Sequence, residues 1–316
     1  MPEKKQLTPK PFAWDGVSFE IPENWELAIY KFPKKKVTRL EFEDEYSVRM
    51  EIEWMRPRRA LSPTRIRERY EKQARKLTAL AHHQKAVTKL PSGWYGAYFT
   101  FREVIPTKRK RGLSVVPHGM VTAFYLPPES DFFCFVIIHE MPNDPEDPRE
   151  VLRMVSRNFY RHDRDPLYPW RLYDIAFRLP ADFKLERAQF AVGSKIMNFT
   201  WQRRRFYLWF LSCADVILKD GVDHARWVTG FLNAYAGFRG IHFYPGEGTD
   251  VIWKRRSRYP FGHRDEWGRR CMQYGIHSFV DQEKNQLVIW VMQHRHARDL
   301  ELIPEALKRR ERVRSA

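Results

Sequence analysis

Two clusters of basic residues are the features of this sequence that come closest to a binding chemistry. Each cluster stands between two strand-like segments, one in the first half of the chain and one in the second. Arginine and lysine bind phosphate and carboxylate groups through charge-assisted hydrogen bonds. We therefore predict an anion-facing surface made by the basic residues Lys108, Arg109, Lys110, Arg111, Lys254, Arg255, Arg256 and Arg258.

Aromatic residues border the second basic cluster, with Trp253 on one side and Tyr259 on the other. Arginine next to aromatic rings is typical of proteins that hold single-stranded nucleic acid. The same combination is equally typical of protein–protein interfaces. A basic loop that only keeps the protein soluble has the same composition, so three interpretations stay open at this point.

The sequence contains no recognisable set of catalytic, cofactor-binding or metal-binding residues. No serine stands in a Gly-x-Ser-x-Gly motif, and the glycine-rich stretch 245–250 lacks the Lys-Ser/Thr ending of a phosphate-binding loop. That stretch is typical of a hairpin turn. His294 and His296 would share one face of a strand, but no further ligand stands at a diagnostic spacing, so solvated strand-end histidines are expected. We predict a protein that is not an enzyme.

The tips of two early hairpins carry opposite charges. The first tip is acidic, with Glu43, Asp44 and Glu45, whereas the second is basic over residues 202–205. Charged loops of opposite sign could orient a partner, although exposed hairpin tips are usually only solvated.

An internal repeat organises the chain. The segment Val17–Leu27 has a counterpart in Ile175–Leu185, with the same order of apolar residues, proline, aromatic residue and leucine at a constant offset of 158. Repeats of this kind indicate duplicated structural units. Because packing alone explains the matching aromatic positions, we expect Phe19, Trp25, Phe177 and Phe183 in the core.

Helix-start signals recur within each half of the chain. Ser62-Pro63 and Asp147-Pro148 have the cap and the proline of a helix N-terminus, and Asp223 is a further cap. A last helix is expected to start near Pro304. We therefore predict the α+β class, as a tandem duplication of a domain with an antiparallel sheet and two main covering helices. The domains would span 12–160 and 170–312, with 161–169 as a linker.

The overall charge favours an anionic partner. The formal net charge is +17, and both halves contribute, with 30 basic and 23 acidic residues in 1–165 and 26 and 16 in the remainder. Such a charge suits an acidic protein surface, another anionic macromolecule, or nucleic acid. No apolar run is long enough for a membrane span, and the polar N-terminus does not look like a secretory signal, so a cytoplasmic protein is expected.

The two repeated openings, a strand followed by Ile-Pro-Glu-Asn-Trp-Glu-Leu at 21–27 and its counterpart at 179–185, resemble the Mog1/PsbP/DcrB superfamily. The family includes a Ran-binding nuclear transport factor, an extrinsic photosystem II subunit, lipoproteins and chaperones of secretion effectors. The resemblance implies a non-enzymatic, partner-binding module, here in two tandem copies. We therefore predict an adaptor or chaperone-like protein that acts through the anion-facing basic surface, through a groove between the two tandem domains, or through both. A nucleic-acid-binding protein, RNA- or ribosome-associated, is the first alternative. An enzyme with a site between the two lobes that is not visible in the sequence is the second.

Overall fold

The computed structural model describes residues 7–31, 37–57, 81–106, 113–255, 272–304 and Leu307, apart from single positions or pairs at 82, 130, 142–143, 145, 220–221 and 239. Alternate residues from Ser62 to Lys72 are also described. The chain divides into two compact units. The first comprises Met1–Arg161 with Arg171–Tyr173, and the second comprises His162–Trp170 with Asp174–Ala316.

The first unit is built mainly from antiparallel strands. Seven of them form one sheet in the order β3-β4-β5-β9-β8-β7-β6, and β2 pairs with β1 and β10. The strands are β1 (Pro9–Trp14), β2 (Val17–Pro22), β3 (Glu26–Lys31), β4 (Val37–Glu43), β5 (Val48–Met55), β6 (His83–Ala86), β7 (Trp94–Pro106), β8 (Leu113–Tyr125), β9 (Phe133–Glu140) and β10 (Tyr160–Arg161).

Helix α1 (Pro148–Arg157) packs against the first unit's strands β2, β8 and β9. It starts where the sequence predicts, because the Asp147 carboxylate accepts the backbone N–H of Arg149 at 2.9 Å and Pro148 occupies the first turn. Its buried face includes Val151, Leu152 and Val155. The predicted helix after Ser62 is helical at each described position from Thr64 to Lys72, with Ile66 buried.

The second unit contains a five-stranded sheet in the order β13-β14-β15-β19-β18, and β16 and β17 form a separate hairpin. All of these pairs are antiparallel. The elements are β11 (Leu167–Leu172), β12 (Ile175–Pro180), β13 (Lys184–Ala191), β14 (Ser194–Trp201), β15 (Arg204–Ser212), α2 (Ala214–Ile217), α3 (His224–Ala234), a 3-10 turn (Ala236–Phe238), β16 (Ile241–Pro245), β17 (Val251–Arg255), β18 (Gln273–Asp281), β19 (Gln286–His294) and a second 3-10 turn (Ala297–Leu302).

Helix α3 covers the apolar face of β15 and β19. The Asp223 side chain caps it by accepting the N–H of Arg226 at 2.8 Å, as predicted. Leu232 is fully buried, and Trp227, Phe231 and Tyr235 pack partly buried against the same cluster. The four core predictions are confirmed at the same time, since Phe19, Trp25, Phe177 and Phe183 are all at most 6% exposed.

The predicted α+β class with two covering helices in each domain is wrong, because strands account for most of the described chain. Strands β7 and β8 are each 13 residues long and pair along their whole length, from Trp94 opposite Tyr125 to Pro106 opposite Leu113. In the second unit, the chain after β19 makes only a 3-10 turn before Pro304. The Asp299 carboxylate there accepts the N–H groups of Arg295 and His296, and its bond to His296 is part of a capping box at the start of the 3-10 turn. The predicted helix after Pro304 lies outside the described residues.

Candidate functional site on the β16–β17 hairpin

The β16–β17 hairpin presents a mixed aromatic, aliphatic and cationic surface in the second unit. Register places Tyr244 opposite Ile252 and His242 opposite Lys254, and opposed residues share a face of the hairpin. Tyr244 is 42% exposed and Ile252 is 52% exposed, and Lys254 is also exposed. We call these four residues the basic–aromatic face.

The opposite face of the hairpin anchors it to the core. Phe243 is fully buried, and the ring of Trp253 meets that of Tyr274 on β18 edge-on at 5.1 Å. The side-chain amide of Asn233 on α3 donates to the carbonyl of Phe243 at 2.9 Å, and its oxygen accepts the N–H of the same residue. The exposed face therefore stands on a rigid support, which suits a binding surface better than a mobile loop would.

Two of the predicted basic residues have defined surroundings. The Lys254 ammonium lies 5.7 Å from the centroid of the Tyr244 ring, and no carboxylate pairs with it among the described residues. The Arg255 guanidinium lies 5.6 Å from the centroid of Trp253 and donates from Nη2 to the carbonyl of Met272. Arg255 thus ties together the two chain ends that flank residues 256–271, whereas Lys254 faces outward.

The remaining predicted site residues cannot be placed. Lys108, Arg109, Lys110 and Arg111 lie outside the described residues, as do Arg256, Arg258 and Tyr259. Their flanking strands are described: β7 and β8 pair with each other, whereas β17 and β18 belong to different sheets. The first cluster lies between β7 and β8, and the second lies between β17 and β18.

The glycine-rich stretch 245–250 is the predicted hairpin turn. Gly246 donates its N–H to the carbonyl of Asp250 at 2.8 Å, and Asp250 donates to that of Glu247 at 3.0 Å. This turn joins β16 to β17 and sets the register of the basic–aromatic face.

The prediction of solvated histidines at the end of β19 is wrong for His294. This residue is buried, and its Nδ1 donates to the carbonyl of His296 at 2.9 Å. Burial lowers the pKa of His294. His296 lies beyond the end of the strand and caps the following 3-10 turn, so the two rings do not share a strand face. Over the described part of the chain, no three metal-ligating side chains cluster.

Sequence reasoning missed His242, Tyr244 and Ile252. His242 and Tyr244 lie about ten residues before the basic cluster, and Ile252 lies directly before it. Only the pairing of β16 with β17 brings all three onto one face with Lys254. The alternation of apolar Ile241 and Phe243 with His242 and Tyr244 was the available signal.

Comparisons with known proteins add little to this description. No family model matches the chain, and no curated protein matches it. Among solved structures, the Ran-binding protein Mog1p of Saccharomyces cerevisiae aligns with 14% identity and a TM-score of 0.32, over 50% of this chain and 98% of that one. Likeness of this size carries no functional argument, so the proposals below rest on the geometry of the chain. Within the described residues, no helix is long and apolar enough to cross a membrane.

Proposed function

We propose that this protein is a non-enzymatic binding protein that holds an acidic protein partner on the basic–aromatic face and the adjoining basic loop. The observation that carries the proposal is the outward Lys254 beside the exposed Tyr244 and Ile252, on a hairpin anchored by buried aromatic residues. Protein interfaces combine aromatic and apolar contacts at the centre with charge complementarity around them.

The exposed Ile252 favours a protein partner over nucleic acid. An aliphatic side chain contributes to a protein interface through apolar burial, at about 25 cal/mol per Å². A strand of nucleic acid would gain more from a stacking ring at that position. The alternative of nucleic-acid binding rests on Tyr244 and His242, whose rings lie on this face with their centroids 4.6 Å apart.

We also propose that the two units are copies of one domain, over about 12–160 and 170–312. Two aromatic triads of matching arrangement support this. The rings of Phe19 and Phe42 meet edge-on at 6.0 Å, and those of Phe177 and Phe199 do the same at 6.0 Å. The third ring, Phe12 in one unit and Trp170 in the other, lies 4.9 Å from Phe42 and from Phe199 respectively.

Backbone details recur at the same offset. The N–H of Trp25 bonds to the carbonyl of Pro22 at 3.0 Å, and that of Phe183 bonds to Pro180 at 2.9 Å. Irregularities in strand pairing fall directly after Leu27 and after Leu185. Under this proposal the two basic clusters are equivalent loops, and a duplicated binding loop is the simplest reason for basic residues in both.

The test uses the full chain and two fluorescent probes, an acidic peptide rich in glutamate and leucine and a single-stranded oligonucleotide. The variant I252S/K254S alters the face, and V216S/K219S is the matched control because Val216 and Lys219 are likewise exposed. We expect peptide binding to weaken about tenfold or more in I252S/K254S and to stay unchanged in the control. Equal affinity of both variants for both probes would refute the proposal.

Salt dependence separates the two classes of partner. If the oligonucleotide binds more tightly than the peptide, and the logarithm of its affinity falls with log salt at a slope of about −0.7 per phosphate contacted, the nucleic-acid alternative holds. For a protein partner, salt should act mainly on the association rate. Pull-downs from native lysate with and without nuclease, using the same two variants, extend the test to the natural partner.

A further inference from the structure

The basic–aromatic face changes its chemistry in three steps along the β16–β17 hairpin. His242 and Lys254 oppose each other farther from the turn, and Tyr244 and Ile252 oppose each other one step nearer to it. At the turn, Asp250 is exposed, and its carbonyl accepts an N–H from the opposite arm of the hairpin at 2.8 Å. The surface therefore runs from basic through apolar to acidic toward the turn.

The spacing of the three steps matches one side of an α-helix. Successive residues on one face of a strand are about 6.7 Å apart, so Lys254, Ile252 and Asp250 span about 13 Å. Residues i, i+4 and i+8 of a helix follow one side of it and rise by about 6 and 12 Å. A helix about 10 Å wide also covers both strands of the hairpin, which lie about 4.8 Å apart.

A partner strand added to an edge of the hairpin would use this surface less fully than a helix. On the outer edge of β16, the side chain of Asn233 already bonds both the N–H and the carbonyl of Phe243. A strand added beyond β17 would place its backbone about 9–10 Å from β16, too far to cover Tyr244. Tyr244 is 42% exposed, and only a partner that lies on the face buries it together with Ile252.

We infer that the partner presents an amphipathic α-helix, which lies along the hairpin on the basic–aromatic face. An acidic residue of the helix pairs with Lys254, and an apolar residue four positions on packs against Tyr244 and Ile252. A basic residue eight positions on pairs with Asp250. The helix occupies the same face as the acidic partner and so rests on the proposed function. Lys254 has no carboxylate partner among the described residues, and an acidic residue there would lie beside an apolar contact, as at protein interfaces.

Fluorescence anisotropy with the full chain tests this partner with three labelled peptides of about 20 residues, long enough for a stable helix. The first peptide has glutamate, leucine and lysine at i, i+4 and i+8. The second has the same composition with these residues at i, i+2 and i+4, as a strand would present them. The third is the first with a proline at its centre, which breaks the helix. We expect the wild type to bind the first peptide about tenfold or more tightly than either of the others.

Two single variants connect this preference to the hairpin. Tyr244→Ser should weaken binding of the first peptide about tenfold, whereas Tyr46→Ser, which changes an exposed tyrosine of the first unit, should leave it unchanged. Asp250→Asn should remove the preference for the first peptide over a version with glutamate in place of lysine at i+8. Tighter binding of the second peptide, with no effect of Tyr244→Ser, would show that the partner adds as a strand and overturn the inference.

The double variant I252S/K254S separates a wrong partner shape from a wrong function. If the wild type binds the three peptides equally and I252S/K254S weakens all of them, the face binds acidic segments in another form, and only the helical partner is refuted. If I252S/K254S weakens none of them, the proposed function fails as well.

Discussion

The two units bury ions of opposite sign at similar points of the strand order, where a hairpin tip meets the chain after β9 in the first unit and after β19 in the second. In the first unit, Arg49 is 3% exposed and its Nη1 lies 2.6 Å from Asp144 and 3.5 Å from Asp44, with Nη2 3.8 Å from Glu146. In the second unit, Asp299 is the buried ion, and the Arg204 guanidinium pairs with it at 2.7 Å. Each corner is fixed by one buried charge, but the buried ion is a cation among three carboxylates in the first unit and an anion paired with an arginine in the second.

This contrast teaches that the fold constrains the position of a buried ion pair and not its sign. A buried charge must be paired and hydrogen-bonded, and either partner can take the central place. The sign of the surrounding groups then decides which ligands each unit can attract. Three carboxylates lie around Arg49 at the acidic corner of the first unit, whereas one arginine, Arg204, pairs with the one carboxylate at the corner of the second.

The largest expected effect is the loss of stability when a ring is removed from the buried aromatic triad of either unit. Phe19→Ala and Phe177→Ala should each lower the free energy of unfolding by about 3–5 kcal/mol, because both rings fill equivalent buried triads. Urea unfolding followed by tryptophan fluorescence measures this. The exposed-site variant Val216→Ser is the control, with an expected change within about 0.5 kcal/mol. A large loss for only one of the two phenylalanines would break the proposed equivalence of the units.

The second prediction addresses the acidic corner. Arg49→Ala should cost about 3 kcal/mol, because Asp44, Asp144 and Glu146 would be left without their buried cation. Arg39→Ala is the control, since that arginine is 40% exposed in its pairs with Glu41 and Glu51 and should cost under about 1 kcal/mol. Equal small losses in both variants would mean that Arg49 does not organise the corner.

The smallest expected effect is a difference in pH dependence between the corners. Burial by itself would raise the pKa of Asp299, but the hydrogen bonds from Arg204 and from two backbone N–H groups outweigh it, so the pKa is lowered. Burial raises the pKa of Glu146, with Arg49 opposing. Relative to Asp299→Asn, the wild type should therefore lose stability as pH falls below the ordinary aspartate value near 3.8.

Glu146 should respond in the opposite direction. Relative to Glu146→Gln, the wild type should lose stability as pH rises above about 4.5, until the raised pKa of the folded state is passed. Urea unfolding at a series of pH values, for the wild type and each variant, yields both slopes. Slopes of the same sign would contradict the opposite electrostatics that we assign to the two corners.

The sequence by itself determined the periodic and local features of this protein. Alternating apolar residues placed Phe19 and Phe177 in strands and in the core, and Asp147 and Asp223 marked the starts of helices, because these signals depend on neighbours within a few residues. The offset of 158 also led to the duplication that we propose.

Only the tertiary structure decided how much of the chain is strand and which distant residues meet. Strands β7 and β8 reach their length of 13 residues because pairing between strands, not local propensity, extends them. Arg204 and Asp299 are 95 residues apart and carry no mark of their pairing, and the basic run at 202–205 and the histidines near 295 suggested unrelated features. Their convergence follows from β15 lying beside β19, a pairing that sequence periodicity does not specify.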